Sequence, residues 1–214
     1  MNHLKSGPIA FVRRRPEAWI SVIYFFLYLI CFFALERFVE PRFIVHSRLD
    51  DLIPFCEWGL VPYASWYLLV PGILLLFLWK DKQDYLRLSF IMFAGMTICL
   101  ALYFILPTGL DLREPVPRDN LLCRAVDLLR RVDTPTNVCP SIHVSSTVAI
   151  AFVCLRSRLF AGRTLVKALL TAGCLLICAS TMLIQQHSVW DVAAGAVLSL
   201  VLTLPAYRLW PQTE

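Results

Sequence analysis

The segment STMLIQQHSVWD, residues Ser180–Asp191, joins two apolar runs and carries a histidine and an aspartate four positions apart. The run before the histidine is Leu165–Ile184, and the run after it is Val189–Leu204. Ionisable side chains cost free energy in lipid, so those that occur beside or within apolar segments mark candidate functional sites. His187 and Asp191 are therefore the first candidates for chemistry in this chain.

The composition of the chain is more apolar than that of a soluble globular protein. Hydrophobic residues make up 58% of the 214 residues and charged residues 16%, with a mean hydropathy of +0.67, whereas soluble domains are about half apolar. A run of about 20 apolar residues can cross a bilayer as a helix, and only helices or closed barrels satisfy backbone groups in lipid. We therefore predict an all-α fold, a bundle of six transmembrane helices that forms one membrane domain over residues 1–214. The predicted spans are Ala18–Leu35, Leu60–Trp79, Leu88–Leu106, Val144–Leu155, Leu165–Ile184 and Val189–Leu204.

Basic residues predict the orientation of this bundle. If the N-terminus is cytoplasmic, the short inner segments carry Lys5, Arg13, Arg14, Arg15, Lys80, Lys82, Arg87, Arg156, Arg158, Arg163, Lys167 and Arg208. The positive-inside rule favours this arrangement, with both termini in the cytoplasm. His143, His187 and Asp191 then fall at the extracytoplasmic ends of their helices. The first run is expected to be retained as a span, since no small-residue cleavage site follows it.

Two further segments are predicted on the extracytoplasmic side. Residues 119–131 place apolar residues at helical spacing between arginines and aspartates, a pattern typical of a short interfacial helix. The segment Leu49–Tyr63 contains two prolines and a glycine, so it is too broken to span and is expected at headgroup depth. An oxidising exterior would permit a disulfide between Cys123 and Cys139, which sequence spacing alone does not decide.

The spacing of His187 and Asp191 predicts a working pair. Residues four apart on a helix share a face, so Asp191 can accept a hydrogen bond from the protonated ring nitrogen of His187. The lone pair of the other ring nitrogen then stays free. This makes His187 a positioned nucleophile or base. The alternative is a histidine–aspartate pair that only holds two helices together.

A second fragment, CPSIH at Cys139–His143, contains another candidate histidine. Pro140 suits the first turn of a helix, because it lacks an amide hydrogen that would be unpaired there. The free amides that follow, with the helix dipole and the hydroxyl of Ser141, form an anion site. A phosphate held there would lie beside His143, which could protonate a leaving alkoxide. Alternatively, His143 is a polar residue at a helix end without a role in chemistry.

A phosphate also needs cationic partners, and the segment after the third predicted span contains two arginines. Arg113 is the first candidate, because the planar guanidinium matches phosphate oxygens, and Arg118 is the second. Neither cysteines nor histidines are spaced as zinc ligands. No basic cluster with interleaved aromatic residues indicates a nucleic-acid partner.

Together, Pro140-Ser141-Ile142-His143 and Ser180-x6-His187-x3-Asp191 resemble the second and third motifs of the type 2 phosphatidic acid phosphatase and vanadium haloperoxidase superfamily. The resemblance implies that His187 attacks phosphorus to give a phosphohistidine, and that Asp191 orients His187. It implies that His143 protonates the departing lipid alcohol, and that Ser141, Ser180 and nearby amides hold the phosphoryl oxygens. The phosphatase branch of the family requires no metal or other cofactor.

The sequence departs from the family pattern at two cationic positions. Leu106 stands where the first motif has lysine, and Thr181 stands where the third motif has arginine. A phosphodiester carries less negative charge than a phosphomonoester, so fewer cations favour a diester donor. We therefore predict an integral membrane lipid phosphatase with a lipid phosphate or phospholipid substrate, and keep two alternatives. One is a lipid phosphotransferase that resembles the inositol-phosphoryl or phosphocholine transferases, and the other is a proton-coupled transporter. The sequence does not decide the oligomeric state.

Overall fold

The computed structural model describes residues 15–212, so the expectations for Lys5, Arg13 and Arg14 lie outside the described residues. Between these limits the chain is almost entirely helical. The seven α-helices are α1 (Pro16–Phe38), α2 (Leu60–Lys80), α3 (Lys82–Ile105), α4 (Leu121–Val132), α5 (Ile142–Arg156), α6 (Thr164–Leu183) and α7 (Val189–Leu209). Short 3-10 turns lie at Asp50–Leu52, Glu57–Gly59 and Arg158–Phe160.

Five of the described helices, namely α1, α2, α3, α6 and α7, are long and apolar enough to cross a membrane. This confirms the all-α class and is compatible with an integral membrane protein. The sixth predicted span corresponds to α5, which has 15 residues and is about 22 Å long, whereas a bilayer core is about 30 Å thick. Helix α5 packs against α2, α3, α6 and α7. Its neighbours surround it, so α5 can be shorter than a lipid-facing span, and six spans remain a prediction.

Helix α3 begins at Lys82, six residues before the predicted start of the third span. Asp81 caps the helix by accepting a hydrogen bond from the amide of Asp84 at 3.0 Å. In the first turns Asp84 and Arg87 form an ion pair that is almost completely buried. Arg87 also donates to the carbonyl of Trp210 at 2.7 Å. Sequence hydropathy predicts that these charged residues lie on the surface. In the structure they are buried, and their contacts connect the start of α3 to the end of α7.

Helix α4 confirms the short helix predicted over residues 119–131. Asn120 caps it by accepting from the amide of Cys123 at 2.8 Å. Cys123 and Val126 are fully buried, whereas Leu121 is exposed. Both Cys123 and Cys139 are free thiols, so the disulfide that the sequence permits is not formed.

Connectivity brings the predicted site residues to one end of the bundle, which we call the site end. Helices α2, α5 and α7 begin there, and α1, α3 and α6 end there. A parallel strand pair, Phe43–Ile44 with Thr108–Gly109, joins the segment after α1 to the segment after α3. The amide of Cys56 donates to the carbonyl of Leu183 at 2.9 Å. The loops at the site end are therefore bonded to one another.

Candidate active site

His187 lies in the turn between α6 and α7, and Asp191 lies in the first turn of α7. The Nδ1 atom of His187 is 3.3 Å from the Oδ2 atom of Asp191, and both side chains are buried. The same oxygen accepts from the amide of Ser188 at 2.9 Å, because Ser188 and Asp191 form a capping box at the start of α7. A carboxylate only accepts hydrogen bonds, so this contact places the proton of a neutral His187 on Nδ1. The Nε2 lone pair is then free.

His143 is the second residue of α5, and its ring centroid lies 5.8 Å from that of His187. Two aromatic residues of α2 hold the ring of His143, with centroids at 4.4 Å for Trp66 and 4.7 Å for Tyr63. The hydroxyl of Tyr63 donates to Asp133 at 2.8 Å. The Nε2 atom of His143 is buried and has no partner among the described residues. The structure therefore brings the two predicted histidines to one place.

Ser141 connects the two sequence motifs through the backbone. Its amide donates to the carbonyl of Asp191 at 3.1 Å, and its hydroxyl caps α5 by accepting from the amide of Val144 at 3.3 Å. A side chain at Gly195 would come within 2.5 Å of the carbonyl oxygen of Ser141, so glycine is required for this close approach. Pro140 precedes the capping residue, so the prediction that it occupies the first turn of α5 is wrong.

Arg113 is a half-buried residue that contacts the residue next to His187. It donates to the side-chain oxygen of Gln186 and to the backbone carbonyls of Asp133, at 2.6 Å, and Thr134, at 3.2 Å. Burial lowers the pKa of Arg113, and the nearby charge of Asp133 opposes that shift. Arg113 forms no ion pair with a carboxylate within residues 15–212.

Arg130 lies on α4 and contacts the other side of the same turn. Its guanidinium donates to the carbonyl of Ile184 at 3.1 Å and to the side-chain oxygen of Gln185 at 2.9 Å. Its pKa is also lowered by burial. Two guanidinium groups thus hold the two glutamines that directly precede His187.

Two other predicted phosphate ligands have different partners. Arg118 donates to both carboxylate oxygens of Glu57, at 3.0 and 2.6 Å, and this contact raises the pKa of Arg118. The described contacts therefore join Arg118 to Glu57 and not to either histidine. The hydroxyl of the fully buried Ser180 donates to the carbonyl of Ile177 in its own helix at 2.6 Å. The carbonyl of Thr181 accepts from the amides of Gln186 and His187, at 2.8 and 3.2 Å.

Four residues that the sequence analysis did not select also form this site, namely Tyr63, Trp66, Gln185 and Gln186. Tyr63, Trp66 and Tyr67 are spaced at three and four residues, which would place them on one helix face. That spacing would have pointed to the aromatic residues only if the sequence had also indicated that α2 lies beside His143. No pattern indicates the glutamines, apart from their place directly before His187.

Several buried polar atoms around the histidines have no partner within residues 15–212. They are Nε2 of His143, Oδ1 of Asp191, Nε2 of Gln186, Nε of Arg113 and Nε of Arg130. Buried polar atoms are nearly always hydrogen-bonded in folded proteins, so this concentration indicates a site for a polar ligand. Because several of these atoms are N–H donors, the ligand they fit is an anion. Within the same residues, no group of three or more His, Cys, Asp or Glu side chains could hold a metal ion.

Comparison with known proteins identifies the family. The family model of the PAP2 superfamily matches residues 90–214, which contain both histidines and Asp191. The chain belongs to the PAP2 superfamily, as its motifs predict. Membership supports an activity of the phosphatase or phosphotransferase type. Neither the curated proteins nor the solved structures compared with the chain gave a significant match.

Proposed function

We propose that the protein is an integral membrane enzyme that hydrolyses a lipid phosphate ester through a phosphohistidine at His187. The observation that carries the proposal is the distance of 5.8 Å between the ring centroids of His143 and His187, together with the hydrogen bond between His187 and Asp191. In the first step Nε2 of His187 attacks phosphorus and the bond to the lipid oxygen breaks. His143 donates its proton to that oxygen. In the second step His143 takes a proton from water, the resulting hydroxide attacks phosphorus, and the bond to His187 breaks.

The charged and polar surroundings support a phosphoryl group as the ligand. Arg113 brings a guanidinium to the residue beside His187, and neither Arg113 nor Gln186 has all its N–H donors paired. The first amides of α5, on Ile142 and His143, form no hydrogen bond among the described residues. Preorganised donors of this kind stabilise the charge that develops on phosphoryl oxygens in the transition state.

The proposed substrate is a lipid, and the proposed site faces the extracytoplasmic side of the membrane. The long apolar helices and the exposed apolar residues along α1, α6 and α7 support contact with lipid. The basic residues near the end of the bundle opposite the histidines favour a cytoplasmic position for that end. The histidines and the aspartate lie at helix ends, whereas a transporter of this size would bind its substrate near the bilayer midplane. This placement favours an enzyme.

A lipid phosphotransferase is the second candidate. It would use the same two histidines and Asp191, but a lipid alcohol would replace water as the acceptor in the second step. Leu106 and Thr181 stand at positions where the family motifs carry cations, and this favours a donor of lower charge. Arg113 and Arg130, which lack carboxylate partners within residues 15–212, supply charge to the same turn and favour the phosphatase.

The test incubates purified protein in detergent with labelled phosphatidic acid, an isoprenyl pyrophosphate or a diester phospholipid, each with and without a lipid alcohol. We expect release of inorganic phosphate, inhibition by vanadate and no loss of activity with chelators. A new phospholipid formed only with the alcohol would indicate the transferase. Absence of turnover of all three substrates would contradict the proposal.

A further inference from the structure

Asp50 is a buried carboxylate in the 3-10 turn between α1 and α2, far in sequence from either motif. Its Oδ2 atom accepts from the hydroxyl of Ser188 at 2.6 Å and from the amide of Ser47 at 2.7 Å. Its Oδ1 atom accepts from the amide of Val189 at 2.8 Å. The side chain is 7% exposed. Asp50 therefore uses both oxygens to hold the start of α7.

The residues that Asp50 holds are the ones that place Asp191 against His187. Ser188 follows His187 directly, and its amide shares the Oδ2 atom of Asp191 with the His187 ring. The hydroxyl of Ser188 also accepts from the amide of Trp190 at 3.2 Å. Asp50 thus holds the amide of Val189 directly and the amide of Trp190 through the hydroxyl of Ser188, while the amide of Ser188 is held by Asp191. A carboxylate at the N-terminus of α7 is also favoured by the helix dipole.

Asp50 lies outside residues 90–214, the part of the chain that the family model matches. We propose that Asp50 is a positioning residue for the nucleophile, which holds Ser188 and Val189 so that Asp191 and His187 keep their reactive geometry. This inference rests on the proposed function. Misplacement of a reacting group by about 1 Å can cost about a hundredfold in rate, so a contact remote from the chemistry can control turnover.

The test compares Asp50→Ala, Asp50→Asn and Ser188→Ala with the unchanged protein, by kcat and KM on the best substrate from the panel above. For Asp50→Ala we expect kcat to fall about ten- to hundredfold, with KM changed less than about threefold. Asp50→Asn keeps an oxygen that can accept from Val189, and it should lose less. Because Asp50 and Ser188 act on one another, the double variant should lose no more than the more severe single variant.

Asp51 provides a matched control one residue away. Its side chain is 60% exposed and contacts His46 instead of α7. Asp51→Ala should keep the kcat of the unchanged protein. Hydrogen exchange adds a readout that does not depend on turnover, since the amide of Val189 should exchange faster in Asp50→Ala and not in Asp51→Ala.

Three results would overturn the inference. They are an unchanged kcat in Asp50→Ala, equal losses in Asp50→Ala and Asp51→Ala, or losses that add fully in the double variant. If the unfolding temperature shows that Asp50→Ala does not fold, the same comparison of kcat is made with Asp50→Asn and with the double variant of Asp50→Asn and Ser188→Ala. Failure of the proposed function is distinct, because the unchanged protein would then turn over none of the substrates.

Discussion

Two buried pairs of ionisable side chains lie at opposite ends of the bundle, and they differ in how completely the polar atoms in and around them are hydrogen-bonded. At the end opposite the site, Asp84 and Arg87 are three residues apart and 1% and 2% exposed. Arg87 also donates to the carbonyl of Trp210 and to the side chain of Gln83. No buried side-chain atom of this pair lacks a partner within residues 15–212. Unpaired buried atoms in the neighbourhood of this pair belong to other side chains, namely the hydroxyl of Ser89 on the same helix and the hydroxyl of Tyr207, whose ring packs on Arg87.

At the site end, His187 and Asp191 are four residues apart and buried to a similar degree. There the Oδ1 atom of Asp191 and the Nε2 atom of His143 have no partner among the described residues. Burial and spacing therefore do not separate a structural pair from the pair at the proposed site. The completeness of the hydrogen bonding does, because a fully bonded pair has no donor or acceptor left for a ligand.

The largest effect is expected from His187→Ala. Removal of the proposed nucleophile should lower kcat at least about a thousandfold. The unfolding temperature should stay close to that of the unchanged protein, because His187 makes one side-chain hydrogen bond. Turnover and thermal unfolding are measured on the same detergent preparation. Substantial residual turnover would remove His187 as the nucleophile.

Asp84→Asn tests the opposite end. This change leaves the buried charge of Arg87 without its carboxylate, so we expect the free energy of unfolding to fall by about 3–5 kcal/mol. The folded fraction should keep the kcat of the unchanged protein. Asp119→Asn serves as the control, since Asp119 pairs with Arg124 on the surface and such pairs stabilise by about 0–1 kcal/mol. Equal stability of the two variants would show that the Asp84–Arg87 pair does not hold α3 to α7.

His143→Ala should have an effect that depends on the leaving group. With a lipid alcohol, which needs a proton as it departs, kcat should fall about a hundred- to ten-thousandfold. With an aryl phosphate ester, whose leaving group is stable as the anion, the loss should be much smaller. His187→Ala is the control, since its loss should be large with both esters. Equal losses for both esters in His143→Ala would contradict the role of His143 as the acid.

The smallest effect concerns His46, a loop residue at the site end that contacts Asp111 at 2.8 Å and Asp51 at 2.9 Å. The hydrogen bond to Asp111 and, to a smaller extent, the one to Asp51 raise the pKa of His46 above 6.5. A raised pKa in the folded state means that the contact stabilises fully below about pH 6.5 and is lost as pH rises through the raised pKa. His46→Ala should therefore lower the unfolding temperature slightly at pH 5.5 and not at pH 9. A difference that grows with pH would contradict this assignment.

The same contrast explains what the sequence could predict. Hydropathy finds α1, α2, α6 and α7 to within about five residues, because charged residues are rare within their apolar runs. It misses the first turns of α3, because Asp84 and Arg87 lower the mean hydropathy there although both are buried. A composition window cannot detect that two charges neutralise one another inside the bundle.

Some residues of the proposed site could be predicted from sequence, whereas others could not. His187 and Asp191 could be paired from sequence because a helix turn brings residues four apart together. The place of His143 beside them followed from connectivity and from the motif resemblance. Asp50 could not be found, since its contact with Ser188 spans 138 residues of sequence. The choice between Arg113 and Arg118 also depends on tertiary structure, because only the folded chain brings Glu57 to Arg118.

The most direct test of the proposed role of His187 traps the covalent intermediate. The protein is mixed with a lipid phosphate ester labelled at phosphorus and quenched in alkali, where phosphohistidine is stable, and the labelled peptide is sequenced. We expect acid-labile label on His187, and none in His187→Ala under the same conditions. Turnover without label on any residue, or label on a residue other than His187, would contradict the proposal that His187 forms a phosphohistidine.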